Sequence, residues 1–553
     1  MRPKALLLSV ALLASSVSAL RAQHETHPAE PAASVTPDLY DDLGTFTRKI
    51  STSVPKAQQY FDQGMRLIWA FNHDEAKRAF EEASRLDPSC AMCQWGVAIT
   101  LGPNINLPAL PDRAAAAVVA ARKASALAKS GKATPVEGAL VAAIGKRYSD
   151  PPPSDPAVQK KLDEGYAAAM RDVSRRFPND LDVATLYAEA MMDLRPWDLW
   201  TLDGKPQPGT LDIVRTLERV LAKNPAHPGA NHYYIHAVEA SPHPERGLAA
   251  ARRVGPMMPG AGHLVHMPSH IYIRTGDYEA SSEANRRAID ADAKSSVAAP
   301  PSPIYQMYVA HNYQFLWASA MLQGRAAESL DAARKTVQNV PLEMLREMPG
   351  FDTLLTYPVL ALVRFGRWDD VLKEPAPPAE FPFAAAIHHY ARGVALAKLG
   401  RTDEAAAERQ TVSEITKKIP ADATESLNKA HDLLDVAVWA LDGQILAKKG
   451  DIDGAASILT KAAQAQDRLK YAEPPDWYYP VRQTLGAVLL SAGRAKDAER
   501  VYREDLARTP GNGWSLLGLA DSLKAQNKPD EEARARFEKS WQRADTRIAA
   551  SDF

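Results

Sequence analysis

Cysteine is nearly absent. The 553-residue chain has two, Cys90 and Cys93, both in SCAMCQW. Two thiolates are too few for a structural zinc site. In an oxidising compartment the pair is expected to form a disulfide, although i,i+3 on a helix is a strained setting for one. A redox or soft-metal role is the alternative. Net charge is lacking too: Lys+Arg number 66 and Asp+Glu 67, a formal charge of −1. No global field therefore favours nucleic acid or an anionic membrane. Beyond the first 22 residues no apolar run approaches 18 residues, so no membrane span is expected. No stretch alternates with period two long enough to suggest a sheet. A nucleophile elbow, a P-loop, a GxGxxG after a strand and a paired-cysteine zinc signature are all missing. What is present is a core-forming composition, 46% hydrophobic and 24% charged.

The chain begins like an exported protein. Arg2 and Lys4 precede the apolar stretch ALLLSVALLASSV, with small residues at Val17 to Ala19 and at Ala22. Residues 1–22 are read as a signal peptide and 23–44 as a flexible leader. The mature protein is expected in the periplasm or secreted.

Residues 57–90, AQQYFDQGMRLIWAFNHDEAKRAFEEASRLDPSC, place Gly64, Leu67, Ala76, Phe80, Ala83 and Pro88 at positions 8, 11, 20, 24, 27 and 32. Small residues opposite large ones let two antiparallel helices approach closely, and the proline ends the second. The unit resembles a tetratricopeptide repeat, the 34-residue helix–turn–helix module. Tyr60 and Gln63 depart from the usual tryptophan and leucine. The turn glycine recurs at Gly276, Gly324, Gly400, Gly450 and Gly493, and more loosely at Gly366. An all-α solenoid over residues 45–548 follows, each helix pair burying its face against its neighbours. Proline-rich loops at 102–111, 149–156, 195–209 and 472–480 interrupt it.

FNHDEAKRAFEEASRLDP, HYYIHAVEAS, HLVHMPSHIYIRTGDY, HNYQFLWASAM and EPPDWYYPVR extend the resemblance, from about residue 45 to 520, to a group of exported bacterial tetratricopeptide proteins. That likeness supports fold and export and implies no reaction.

Seven of the 14 histidines fall between His227 and His270. With each turn glycine at position 15, His263, His266 and His270 take positions 2, 5 and 9 of one repeat. His311 takes position 2 of the next. His232 and Glu239 take positions 2 and 9 of the repeat before. In solenoids of this kind these positions line the concave groove, here about residues 228–325. His232 and His236 form an i,i+4 pair of the sort that chelates zinc, and Glu239, one turn on, can ligate or act as a base. His263 and His270 stand about 10.5 Å apart along a helix axis, too far to share one ion. The set suits one ion with spare histidines or two ions close together. Imidazole-rich sites suit Cu, Zn or Fe, and one carboxylate is too few for a carboxylate-bridged di-iron centre. The HExxH order is absent, because Tyr233 follows His232.

Pro268 admits two readings. Inside a helix it kinks the chain between His266 and His270 and frees the Leu264 carbonyl. As a first helical residue it leaves His263 and His266 in the preceding loop. His73 sits at a turn, beside capping candidates Asn72 and Asp74. Asn312 and Arg482 are weaker groove candidates. Trp477, Tyr478 and Tyr479 form either an aromatic wall at the groove or packing between repeats. His227, His243, His388, His389 and His431 are read as hydrogen-bonded or solvent-facing.

Three functions fit. A metalloenzyme, hydrolytic or oxidative, would hold a transition metal with a position open for substrate. A scaffold would take a peptide, small molecule or envelope component in the groove without metal. A storage or delivery protein would bind metal without turnover.

Overall fold

The computed structural model describes residues 36–108, 110–296, 302–340, 342–347 and 349–553; the expected signal peptide, His24 and His27 lie outside the described residues. Helices dominate it. The inner helices of six successive pairs end at a left-handed glycine, and the outer helix begins two residues later. Gly276 (φ 81°), Gly324, Gly366, Gly400, Gly450 and Gly493 do this, leading to helices that start at Tyr278, Ala326, Trp368, Thr402, Ile452 and Ala495. The left-handed residue satisfies the last carbonyls of one helix and reverses the chain without a Cβ penalty.

Prolines do the complementary job. Those at 55, 135, 156, 228, 303 and 382 stand in the first turn of their helices, where a missing N–H costs nothing. Close approach of the first pair follows from Gly64, where an added Cβ would lie 2.6 Å from the Phe80 ring. Among the described residues the one strand pair is Thr424–Glu425 with Asn428–Lys429, a two-residue ladder inside a loop. Cys90 and Cys93 are joined as a disulfide.

The tail of the expected leader is held in place. Pro37 carbonyl accepts from the Tyr60 hydroxyl (2.9 Å), Tyr40 N–H donates to Gln63 Oε1 (2.9 Å) and Asp42 carbonyl accepts from Gly260 N–H (3.0 Å). Residues 36–44 are thus pinned between the first helix and the loop before His263. Their backbone finds partners that sequence alone did not announce.

Two hydrophobic cores result. One runs from Leu43 to Ile271 and the other from Ile273 to Ala533. The last helices fold back onto the centre: Tyr278 hydroxyl donates to Pro510 carbonyl (2.8 Å) and Trp514 Nε1 to Met321 carbonyl (3.1 Å). The boundary between the cores passes through the histidine helices.

Candidate metal centre

Three consecutive inner segments supply the histidines. Helix Pro228–Glu239 carries His232, His236 and Glu239. Helices Gly262–His266 and Pro268–Thr275 carry His263, His266 and His270. Helix Pro303–Leu322 carries His311. The Pro268 question resolves as a break inside an otherwise continuous helical path. Met267 keeps helical dihedrals (φ −52°, ψ −32°) and its N–H reaches the His263 carbonyl at 3.1 Å, while His270 N–H bonds one residue short, to Met267. His263 and His266 therefore lie on a helix, not in a loop.

The expected open groove is a closed interior. His232, His236, Glu239, His263, His266 and His270 are 0–3% exposed, and His311 is half-buried. Imidazoles lose hydrogen bonds to water in such a place and must find partners. All but His263 do so through Nδ1. His232 Nδ1 donates to the Trp69 carbonyl (2.6 Å), His266 Nδ1 to Asn285 Oδ1 (2.6 Å) and His311 Nδ1 to Gln314 Oε1 (2.8 Å). Glu239 serves two rings: Oε1 accepts from His236 Nδ1 (2.8 Å) and Oε2 from His270 Nδ1. Asn285 is itself oriented, since its amide donates to the Ser281 carbonyl (2.7 Å).

These bonds turn the Nε2 atoms inward. His232, His236 and His263 form one triad and His266, His270 and His311 a second, the ligand atoms of each lying within 4.8 Å of one another; His236, Glu239 and His270 form a third such group. Ring centroids across the triads, 5.5 Å for His236–His270 and 5.8 Å for His263–His266, are as close as those within them. The His266 and His270 Nε2 atoms stand 2.9 Å apart, and those of His232 and His263 3.2 Å. With both Nδ1 atoms of the 266/270 pair committed to acceptors, the two facing Nε2 atoms present lone pairs to each other. A cation between them, a metal ion or a proton, relieves that. Two imidazoles on one tetrahedral ion at about 2.0–2.1 Å would bring their nitrogens to about 3.3 Å. His236 Nε2 and His263 Nδ1 are buried without any partner.

Burial disfavours the charged form of five of the rings, those of His232, His263, His266, His270 and His311. Burial lowers His232, His263 and His266 well below the usual imidazole range, and neighbouring histidines add to this. Burial, then His270, brings His311 to about 3. Burial also lowers His270, against the pull of Glu239. For Glu239 burial alone would raise the carboxyl, but His270 and His236 hold it down to about 2. An ionised carboxylate and neutral rings are the forms a metal site requires.

Aromatic rings seal the centre. Phe71 lies on His232, His236 and His263 (4.5, 6.0 and 5.5 Å between centroids), Trp197 on His236 (5.6 Å) and Tyr308 on His263 (4.6 Å). Phe315 covers His266, His270 and His311 at 4.6–4.9 Å. Phe315 follows His311 by one turn, a signal present in HNYQF. Phe71 and Trp197 depend on loop conformations that carry no such spacing, and the Trp69 carbonyl is silent in any sequence.

The other candidates fall outside. His73 opens helix His73–Leu86, with Nδ1 3.5 Å from the Asn104 amide, and burial lowers it to about 4. Asn312 donates to Asp292 (2.7 Å) beside the centre. Trp477, Tyr478 and Tyr479 pack with Tyr390 and Arg364 in the second core. Arg482 is paired with Asp467 (2.8 and 2.7 Å). The apolar faces of those rings are filled by neighbouring repeats, so they form no wall at the histidines. His227 caps helix Pro228–Glu239 and bonds Asp182 (3.1 Å).

No family model and no curated protein matches the chain. Among solved structures it is similar to a human IFIT1 dimer with m7Gppp-AAAA (12% identity, 82% of this chain, 90% of that one, TM-score 0.35). It is similar also to the Cut9–Hcn1 hetero-tetramer of the APC/C (12% identity, 88% and 76% covered, TM-score 0.30) and to yeast Tom70 (9% identity, 89% and 93% covered, TM-score 0.28). The helix pairs and their turn glycines, not these likenesses, identify the tetratricopeptide-type solenoid.

Proposed function

We propose that this protein holds two transition-metal ions, three histidine Nε2 atoms to each, as a metal-dependent enzyme acting on a small substrate. The observation that carries this is the facing pair His266 and His270, whose Nε2 lone pairs meet at 2.9 Å while both Nδ1 atoms are bound to acceptors. His232, His236 and His263 would hold one ion and His266, His270 and His311 the other. Glu239 spends both oxygens on ligand rings, one from each triad, which makes it a positioning residue linking the two sites. That role takes the place of the ligand or base role its spacing suggested.

Three protein ligands per ion leave a position open, the arrangement of catalytic rather than structural sites. When bound, ions ligated by neutral imidazoles alone keep their full charge and supply Lewis-acid or redox chemistry. Copper and zinc suit this donor set better than iron, which has no free carboxylate here. The chain's own part is to hold the six rings in place, orient five of them through their Nδ1 bonds and exclude water with Phe71, Trp197, Tyr308 and Phe315. Burial of the histidines counts against a peptide laid along them. Export remains part of this reading, and the Cys90–Cys93 disulfide favours an oxidising compartment.

Metal content by plasma mass spectrometry tests it, on protein purified without chelator or affinity histidines. Two ions per chain are expected, with one lost in His236→Ala, one in His266→Ala and both in the double variant. Absence of metal in the parent after reconstitution with Cu, Zn and Fe would falsify the proposal.

A further inference from the structure

The two triads are covered in different ways. Phe315 sits on the regular helix Pro303–Leu322. Phe71 and Trp197 occupy left-handed backbone, φ 54° and 59°, where bulky side chains are rare. Four non-glycine residues of the described chain do this, and two of them are aromatic rings laid on the same triad. For Phe71 this is the turn that glycine makes in the later repeats, the outer helix starting two residues on at His73, so a bulky ring stands where glycine is the easier choice.

Phe71 also separates two environments. One side of its ring meets His232, His236 and His263. The other side meets the His73 ring (6.0 Å) and a hollow of about 10 Å³ lined by His73, Asn104, Arg113, Tyr305 and Tyr308, room for one water. A second hollow of about 60 Å³ adjoins it, sharing Asn72, Asp74 and Tyr305. Neither hollow is lined by a histidine of either triad; Phe71, which lines the smaller one, is what stands between it and the first triad. Under Phe71 lie the unpartnered His236 Nε2 and His263 Nδ1.

We infer that the 232/236/263 triad is the substrate-accepting site and that Phe71 determines its specificity, admitting from the His73–Asn104 hollow only ligands of a few atoms. The inference rests on the two-ion reading above. The 266/270/311 triad lies behind Phe315, meets solvent only at the half-buried His311 and is no part of this route. His73 and Asn104 are polar groups that an incoming ligand passes, not ligands themselves.

The test uses the full-length chain loaded with Co²⁺, whose visible spectrum reports coordination, with imidazole as probe. Cobalt content is measured first. Phe71→Gly removes a ring the size of the probe and suits the left-handed backbone; because Phe71 is a core residue, folding of the variant is checked by circular dichroism before titration. Phe71→Asn, which also tolerates that conformation, is the second variant. The expected result is imidazole binding at least tenfold tighter in Phe71→Gly than in the parent, with one of two cobalt ions perturbed. Phe315→Leu should match the parent. Equal imidazole affinity in the parent and both Phe71 variants overturns the inference, as does an equal gain in Phe315→Leu. A parent that binds no cobalt shows itself before imidazole is added. It overturns the two-ion reading and this inference with it.

Discussion

Helices Pro228–Glu239 and Ala430–Lys448 are both inner helices of the solenoid, and they solve opposite problems. The second buries alanine, leucine, valine and isoleucine on one side and leaves Asp432, Asp435 and Trp439 toward solvent or its margin. Its stability comes from apolar area removed from water, about 25 cal/mol per Å². The first has all 12 residues buried, among them Asn231, His232, His236 and Glu239. Aliphatic packing cannot satisfy those groups, so Asn231 donates to the Pro225 carbonyl, His232 to the Trp69 carbonyl and His236 to Glu239 on the same helix, while Glu239 also accepts from His270. One fold frame thus supports an ordinary repeat and a polar seam. The seam falls where the first hydrophobic core ends and the second begins.

The difference is broken most severely at Glu239. Glu239→Ala leaves the Nδ1 groups of His236 and His270 buried without an acceptor, and a loss of about 3–5 kcal/mol is expected. Metal affinity should fall about 10–100-fold. Glu239→Gln keeps one acceptor and should recover part of both. In the ordinary helix, Gln444→Ala removes a 3.1 Å bond to Asp552 and should cost about 1 kcal/mol with no effect on metal. Urea titration and chelator-buffered metal competition read the two quantities.

pH separates the regions by sign. In the metal-free protein His311, at about 3, and His73, at about 4, titrate below the ordinary imidazole value of 6.5. The unfolded chain takes up protons first as pH falls. Their stability is therefore present above pH 6.5 and lost as pH drops toward 4 and then 3. Glu425, pushed by burial and then by Asp352 to about 10, works the other way. Its stability is present below its ordinary value of 4.5 and lost as pH rises through 10. His311→Gln should thus raise the urea midpoint of the metal-free protein near pH 4–5, and Glu425→Gln should raise it at pH 8–9. The same sign for both substitutions at either pH would break the contrast.

The solenoid was legible because its signals are local. Gly276, Gly324 and Gly493 sit in turns that need a left-handed residue, and that need is written in one position each. The histidine cluster was legible as well, since His263 to His270 and His232 to Glu239 are spaced by helical geometry. The enclosure was not. It depends on Phe71, Trp197, Asn285 and the Trp69 carbonyl, which reach the rings across sequence separations such as the 163 residues between Trp69 and His232. Position in a repeat says which way a side chain points and nothing of whether solvent lies there. The same reasoning mistook an interior for a groove, while of the two readings of Trp477–Tyr479 the structure shows packing between repeats.

Glycine contacts sharpen the comparison at smaller scale. A Cβ at Gly229 would lie 2.4 Å from the Trp69 ring, and one at Gly486 would lie 2.4 Å from the Tyr502 ring. Each substitution to alanine overpacks a filled core and should cost about 1–3 kcal/mol. Trp69 carries the carbonyl that fixes His232, so Gly229→Ala should also weaken metal binding at the first triad. Gly486→Ala should leave metal binding unchanged.

The smallest effect is expected at His243, and its smallness is informative. This histidine belongs to the dense stretch between His227 and His270, yet its side chain is 67% exposed and pairs only with exposed Glu245. Exposed pairs of this kind are worth little, and His243→Ala should change stability by less than about 0.5 kcal/mol. Metal stoichiometry should stay at two. The contrast with His236, seven residues earlier on a helix buried on every side, isolates what makes an imidazole a ligand. Residue type and clustering are shared by the two positions. Both also have Nδ1 beside a carboxylate, but only His236 is buried with its ring among other histidine rings, so a loss of metal in His243→Ala would mean that proximity in sequence, not this enclosure, governs the site.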